Sequence, residues 1–346
     1  MPHPSSLPPF RSTLITGGAG FIGSHFVDLV LAARPDTRVV TLDALTYAGS
    51  RDNLTIALKN PRHTFVEGDI QDAALVGQLF TQHQFDSVVH FAAESHVDRS
   101  ISDPMAFVKT NVLGTGVLLD AARKAWFNAP HSPRPGRTRF HHISTDEVFG
   151  SLGATGYFSE TTPYAPNSPY SASKAASDHL VRSYHHTYGL DVTTSNCSNN
   201  YGERQHAEKL IPTIIRKALS GAAIPIYGDG RNVRDWLYVG DHCAAVLEIL
   251  ERGRAGEVYC IGSNNEQNNN TIAAMVCGIL DGMKPRADGV SYAAQIQFVA
   301  DRPGHDARYA IDGSKLTREL GWTAGMGFES GLRQTLSFYV DKFKSN

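Results

Sequence analysis

The chain has 346 residues, 41% of them hydrophobic and 19% charged, with a formal net charge of -2. That length suffices for two domains, or one large domain with a lobe, around a substantial core. The near-neutral balance excludes a basic nucleic-acid binder and a polybasic membrane-surface protein, so any anionic ligand has to be met by local basic residues.

No apolar run is long enough to span a bilayer. Cys197, Cys243, Cys260 and Cys277 form no CxxC pair and lie scattered in apolar segments, which predicts buried thiols in a reducing compartment. Residues 1–9 are rich in Pro and Ser and lack the apolar stretch of a signal peptide. A disordered arm over 1–10 and a cytoplasmic location are the expectations.

Residues 12–16 are a short β-favouring run that leads into Gly17-Gly18-Ala19-Gly20-Phe21-Ile22-Gly23 and a periodic helix through Leu31. Glycines at 17, 20 and 23 allow a tight strand-to-helix turn and close approach of a pyrophosphate to the helix N-terminus. Such triplets are weak evidence alone; this one follows a predicted strand and opens a predicted helix. A second strand, 38–42, ends at Asp43, at the distance expected for the acidic residue that binds a ribose 2′-OH. The pattern predicts a dinucleotide site, and the charge of Asp43 favours NAD over NADP. The bland reading is that Asp43 only caps a loop.

A third strand, 63–67, is followed by Asp69 and Ile70. Asp69 is placed at a strand end, for an adenine-edge contact or a helix N-cap. A fourth strand, 86–91, ends in Ala92-Ala93, small residues that let backbone lie against a cofactor. The polar run Glu94 to Ser100 is expected at the same sheet edge. A helix is predicted from Thr110 through Lys124, then an exposed loop over 129–138. The fifth strand, 139–143, delivers Ser144-Thr145-Asp146-Glu147-Val148-Phe149-Gly150: a hydroxyl and two adjacent carboxylates.

Tyr170 and Lys174 stand four residues apart, on one face of a helix predicted over 171–188. A phenol beside an ammonium is a candidate base, because the cation favours the phenolate. Asp146 and Glu147 form a second acid–base pair; their ordinary fate would be a solvated pair after a strand. A sixth strand, 191–195, completes an alternation that predicts a doubly wound parallel sheet of Rossmann type. After Gly202 the rhythm changes. The stretch 224–236 reads as loop-rich with Arg231 and Arg234, 241–251 as a helix, 257–261 as a strand, and 262–270 and 301–306 as polar loops. This is a smaller C-terminal lobe with basic and amide groups suited to an anionic, polyhydroxylated substrate. The division expected is 11–203 plus about 233–263 for the NAD-binding domain, and about 204–232 plus 264–346 for the lobe. The histidine pairs 141–142 and 185–186 diverge on strand or helix, so no metal is expected.

From about Arg11 to Trp322 the chain resembles the nucleotide-sugar 4,6-dehydratases of the extended short-chain dehydrogenase/reductase superfamily, most of all those acting on dTDP-glucose. The resemblance rests on the glycine turn, Leu45-Thr46-Tyr47-Ala48-Gly49, the run from Ala92 to Ser100, Thr145-Asp146-Glu147-Val148, Tyr170-Ser171-Ala172-Ser173-Lys174, and Ser198 to Gly202. In the lobe it rests on Tyr227 to Trp236 and Asp301 to Asp306. The Tyr–Lys pair belongs to the whole superfamily; the Asp–Glu pair marks a dehydratase.

The resemblance implies that Tyr170 deprotonates the sugar 4-OH, Lys174 supports the phenolate and the nicotinamide ribose, and Thr145 hydrogen-bonds the 4-OH. Glu147 then takes the C5 proton and protonated Asp146 assists loss of the 6-OH. NAD is expected on Gly17, Gly20, Phe21, Ile22, Gly23, Asp43, Thr46, Asp69, Ile70, Ala92, Ala93, Ser95, Thr110, Tyr170 and Lys174. The nucleotide sugar is expected on Ser95, Thr145, Asn199, Lys209, Leu210, Pro225, Tyr227, Arg234, Asn269, Arg302 and His305. A homodimer built on helices 105–124 and 171–188 is implied as well. The chain departs from the family pattern at Ala44 (usually Lys), Phe149 (usually Tyr), 203–207 (Glu-Arg-Gln-His-Ala), and Asn270, where a hydrophobic residue is more usual. Two other functions share parts of this pattern: a nucleotide-sugar 4-epimerase, which has no need of Asp146-Glu147, and a non-catalytic NAD-sensing regulator, which has no need of Tyr170 and Lys174.

Overall fold

The computed structural model describes residues 9–301 and 304–344. Among these, seven strands form one parallel sheet: β1 (Ser12–Thr16), β2 (Arg38–Asp43), β3 (His63–Glu67), β4 (Ser87–His90), β5 (Arg139–Thr145), β6 (Val192–Cys197) and β7 (Val258–Ile261), in the order β7-β6-β5-β4-β1-β2-β3. The strands are rich in Val, Ile and Thr. β1, β4, β5 and β6 are buried along their whole length, as a sheet covered on both faces requires. Alternation divides the core. Ile15, Val39, Val89 and Ile143 pack with helices Phe21–Ala33 and Val239–Arg252 on one face. Leu14, Val40, Val88, Phe140 and Val192 pack with helices Ala73–His83, Thr115–Trp126 and Pro169–Tyr188 on the other. The strand order reverses its direction of growth between β1 and β4, where an open parallel sheet leaves a crevice at its carboxyl edge.

A further core gathers Tyr201, Ile211, Ile214, Trp236, Ile272, Val276, Leu332 and Leu336 around helices Leu210–Leu219, Asn269–Met283 and Phe328–Lys344. Two small sheets accompany it. One pairs Ile224–Tyr227 with Ile296–Val299; the other runs Glu266–Asn268, Val233–Tyr238, Asn199–Tyr201. The stretch 224–236, expected as loop-rich, is therefore strand in large part, and 262–270, expected as a polar loop, contains the three-residue strand Glu266–Asn268. Their polar residues are tolerated because cross-strand backbone pairing supplies what their side chains do not. Asn268 also caps the helix that follows by accepting from Thr271 N at 2.8 Å.

Other boundaries also move. Thr110 does not open a helix: it sits in a π-helical turn, Val108–Gly114, between Pro104–Phe107 and Thr115–Trp126. The loop over 129–138 contains a short hairpin, Phe127–Ala129 with Ser132–Pro133. At the amino end, residues 1–8 of the expected arm lie outside the described residues. Phe10 is buried in the core, with the Arg137 guanidinium 4.0 Å above its ring. All four cysteines are buried free thiols.

Candidate active site

At the carboxyl edge, the turn after β1 is shaped by sterics. Gly17 has φ +69°, and a Cβ there would stand 2.5 Å from Ala92 N. A Cβ on Gly23 would stand 2.3 Å from Gly17 O, so the helix can lie close to the turn only with glycine at that point. At Gly20 only Gly17 O is within 4 Å, at 3.2 Å, and no side chain caps the helix start. That open cradle at a helix N-terminus fits a pyrophosphate. Asp43 fastens it from β2. Its Oδ2 accepts from Ala19 N at 2.9 Å and its Oδ1 from Leu45 N at 2.8 Å. Burial pushes its carboxyl above the usual range, and the two backbone donors oppose that rise. Asp43 thus caps its loop and also lines the cleft. Asp69 lines it too, but it is no N-cap: the helix Ala73–His83 is capped by Asp72, and Asp69 accepts from Gln71.

One cleft is lined by Gly17, Gly20, Phe21, Ile22, Gly23, Asp43, Thr46, Asp69, Ile70, Ala92, Ala93, Ser95, Thr110, Tyr170 and Lys174, every position expected to face NAD. Thr145, Asp146, Glu147, Asn199 and Lys209 line the same cleft. The glycine turn and the open helix N-terminus fit the pyrophosphate of a dinucleotide. Asn199 Oδ1 and Asp146 Oδ2 are buried in the cleft without a hydrogen-bond partner, polar groups available to a second ligand.

The carboxylate pair stands on a short helical turn, Asp146–Phe149, that ends β5. Thr145 caps the turn by accepting from Glu147 N and donates to Asp146 Oδ1, both at 3.3 Å. Asp146 is 2% exposed, and burial followed by neighbouring Glu147 holds its carboxyl well above the ordinary range. A buried carboxyl whose hold on its proton is raised is suited to act as a proton donor.

Tyr170 and Lys174 lie on the helix Pro169–Tyr188, started by Ser168 with a capping box to Ser171. Burial and then Glu147 push the Tyr170 phenol well up, while a hydrogen bond with Thr145 opposes them. The Lys174 Nζ donates to Ile143 O at 2.7 Å and lies 3.5 Å from His142 Nε2. Burial lowers the Lys174 ammonium to about 8.

The residues expected on the nucleotide sugar are less gathered. Leu210 and Asn269 begin helices, Pro225 and Tyr227 lie in a lobe strand, and none of them lines the cleft. Tyr227 is 43% exposed. His305 pairs with Asp301 at 2.6 Å, and Arg302 lies outside the described residues. Arg234 is buried, donates to Val233 O at 2.7 Å and Asp306 O at 2.9 Å, and stacks 4.1 Å from the Tyr309 ring. From there it still acts on the carboxylates: its charge opposes the rise of Asp146. Tyr309 in turn is pushed up by burial and then by Glu147.

Several residues of the cleft wall were given no role from the sequence: Ser144, Cys197, Ser198, Gln205, His206 and Glu208. Glu208 approaches His96 and His206 at 3.4 Å each, and Lys209 donates to Ser95 O at 3.1 Å. Ser144 lies near the end of β5, Cys197 ends β6 and the others follow it, so the strand-end rule was the signal that could have placed them. Phe149 turns away from the cleft. It packs on Phe158 and Tyr164 at 5.2 and 5.3 Å, so its missing hydroxyl is a matter of core packing.

This combination of a glycine turn, a Tyr–Lys helix and a buried Asp–Glu pair defines an extended short-chain dehydrogenase/reductase equipped for dehydration. The profile of the GDP-mannose 4,6 dehydratase family matches residues 14–335. A dTDP-glucose 4,6-dehydratase of Xanthomonas campestris pv. campestris is 57% identical over 327 residues, 94% of this chain and 92% of that one. The crystal structure of DesIV, a dTDP-glucose 4,6-dehydratase from Streptomyces venezuelae with NAD bound, superposes with a TM-score of 0.87 at 46% identity, covering 96% of this chain and 98% of the other. A UDP-glucose 4-epimerase from Thermotoga maritima shares the fold at 28% identity and a TM-score of 0.83, over 96% and 99% of the two chains. The chain belongs to the dTDP-glucose 4,6-dehydratase family.

Proposed function

We propose that the protein dehydrates dTDP-glucose to dTDP-4-keto-6-deoxyglucose, a hydro-lyase reaction in deoxysugar biosynthesis with NAD as resident cofactor. The observation that carries this reading is the buried Asp146, its carboxyl held well above the ordinary range, beside Glu147 in the same cleft as Tyr170. A 4-epimerase needs only the last of these. NAD when bound accepts hydride from C4 and returns it to C6, so it is regenerated within each turnover. Tyr170 takes the 4-OH proton while Thr145 orients that hydroxyl. Lys174 supplies the positive charge behind the phenol. Glu147 removes the C5 proton, made acidic by the 4-ketone, and Asp146 gives its proton to the departing 6-OH. Glu147 returns a proton to C5 at the end.

The same reading assigns the substrate nucleotide to Ser95, Asn199, Lys209, Leu210, Pro225, Tyr227, Arg234, Asn269, Arg302 and His305. It divides the chain into the NAD-binding domain and the lobe at the boundaries given above. A homodimer is supported by exposed apolar residues on the 104–126 helical run, Met105, Val108 and Leu113. No helix among the described residues is long and apolar enough to cross a membrane, and the cytoplasm is the proposed location.

The test is incubation with dTDP-, UDP-, CDP- and GDP-glucose, with product sugars identified by NMR. The expected outcome is a 4-keto-6-deoxy product from dTDP-glucose without added cofactor. Formation of the C4 epimer alone, or a need for stoichiometric NADPH, would overturn the assignment.

A further inference from the structure

Asp178 takes no part in the chemistry above, yet its carboxylate is buried where the two pairs of reacting groups meet. It lies one helical turn beyond Lys174, on the same face of the Pro169–Tyr188 helix. Its Oδ2 accepts from Ser144 Oγ at 2.7 Å and from the Tyr164 hydroxyl at 2.8 Å. Asn196, on the neighbouring strand, donates to Thr145 O at 3.0 Å. The other oxygen, Oδ1, faces His142 Nε2 at 3.1 Å without the direction of a hydrogen bond. That same nitrogen lies 3.5 Å from Lys174 Nζ.

The groups around Lys174 leave one candidate for its counter-charge. His142 is kept neutral, first by burial and then by Lys174 itself. The Cys197 thiol is pushed up to about 12 by burial and carries no charge at neutral pH. Ser144, Tyr164, Ser177 and Asn196 are neutral. Asp178 is the remaining acid: burial raises its carboxyl, Lys174 and the hydrogen bonds from Ser144 and Tyr164 oppose that rise, and its charge in turn opposes the loss of the Lys174 proton. Its second set of contacts works on the strand end. Ser144 immediately precedes Thr145, Asp146 and Glu147, so its hydrogen bond to Asp178 fixes where that turn begins.

We propose that Asp178 is a positioning residue that joins the two halves of the catalytic machinery: its carboxylate is the counter-charge of Lys174 and the clamp on the strand end bearing Thr145, Asp146 and Glu147. Chemistry at C4 depends on the first role and chemistry at C5 and C6 on the second, and one carboxylate serves both. This rests on the dehydratase reading only for the names of the steps; the nearness of Asp178 to Lys174 rests on His142 Nε2, which lies 3.1 Å from one and 3.5 Å from the other.

Three variants test it. Asp178→Asn keeps the shape and removes the charge, Asp178→Glu keeps the charge, and Tyr164→Phe removes one hydrogen bond while leaving the charge. The Lys174 Nζ resonance is followed in ¹⁵N-lysine-labelled protein, assigned by its absence in Lys174→Met, alongside single-turnover C4 oxidation across pH. In Asp178→Asn the Lys174 titration and the basic limb of the oxidation profile are both expected to move acidward by about one pH unit, a tenfold change in protonation. KM should stay within about twofold, because no ligand contact is lost. Asp178→Glu should restore the limb, and Tyr164→Phe should leave it in place while lowering the melting temperature. If Asp178→Asn does not fold, Asp178→Ser takes its place as the charge-free variant. A folded charge-free variant whose Lys174 titration and basic limb match the parent would overturn the proposal. Failure of dTDP-glucose turnover in the parent, with the Lys174 shift intact, would overturn only the substrate assignment.

Discussion

On the sheet side of the cleft, every reacting side chain leaves the backbone close to a buried strand or within one long capped helix: Thr145 ends β5, Asp146 and Glu147 follow it, and Tyr170 and Lys174 share the Pro169–Tyr188 helix. On the lobe side, Tyr227 ends a strand of four residues, Asn269 begins a helix, and His305 stands in irregular chain. The first arrangement fixes atoms through sheet register and core packing, which tolerate little displacement. The second holds its groups by a few hydrogen bonds and ion pairs on short elements. Substitutions on the sheet side should therefore stop individual chemical steps, whereas those on the lobe side should grade affinity.

The sharpest contrast lies within the sheet side. Tyr170→Phe removes the base for the first step and is expected to suppress oxidation and elimination alike, by about 10⁴-fold. Glu147→Gln keeps the shape but cannot accept a proton. It should lower turnover by about 10² to 10³ while C4 oxidation continues. Single-turnover absorbance of the reduced cofactor, read together with solvent deuterium entering C5, separates the two. Equal loss of hydride transfer in both variants, with binding intact, would remove Glu147 from the second step.

Asp146→Asn should trade activity for stability. Burial and Glu147 keep the folded carboxyl protonated, while the unfolded chain releases that proton near its ordinary 3.8. The folded state then binds more protons than the unfolded state, so this group costs stability as pH rises above about 4 toward its folded pKa. Asparagine removes that cost. The variant should lose about 10²-fold in turnover yet melt higher than the parent at neutral pH, with the gap narrowing as pH falls toward 4. A gap that widened on acidification would mean that Asp146 is ionised in the folded protein.

How much of this was legible in the sequence follows the same division. The glycine turn, Asp43 and the strand ends at Ala92 and Thr145 could be placed because alternating apolar strands and small-residue turns are local signals with a fixed geometry. The strands at 224–227, 233–238 and 266–268 were hidden: they are short, polar, and paired with partners far along the chain, as Asp235 is with Glu266. The role of Asp178 was hidden for another reason. Its spacing from Lys174 is visible, but Ser144, Tyr164 and His142 are brought to it only by the crossing of helix and sheet. The spacing of Tyr170 and Lys174 was visible too, but not the Ile143 carbonyl that the ammonium meets at 2.7 Å.

The lobe side makes its own contrast between two arginines three residues apart. Arg234 is 6% exposed, bonded to Val233 O and Asp306 O and stacked on Tyr309. Arg234→Ala strands those acceptors and loosens the Tyr309 ring beside Glu147. Losing charge-assisted hydrogen bonds of this kind costs about 1.5 to 3 kcal/mol, which predicts a KM for the nucleotide sugar raised by about tenfold or more, with a smaller fall in kcat.

Arg231 should have the smallest effect. Its side chain is 85% exposed and its partner Asp229 is 67% exposed, with 3.4 Å between them. An ion pair so open to water contributes about 0 to 1 kcal/mol at most, because solvent screens it and two long side chains must be ordered to form it. Arg231→Ala should leave the melting temperature unchanged within error and change KM by less than about twofold, a limit set by that same small energy. The measurement that matters is KM at low and high salt. An exposed arginine that bound the diphosphate would give the parent a salt-dependent KM and Arg231→Ala a flatter one. If the variant raised KM tenfold at low salt, Arg231 would join Arg234 on the nucleotide, and the lobe would recognise its ligand through surface charge as well as through its buried arginine.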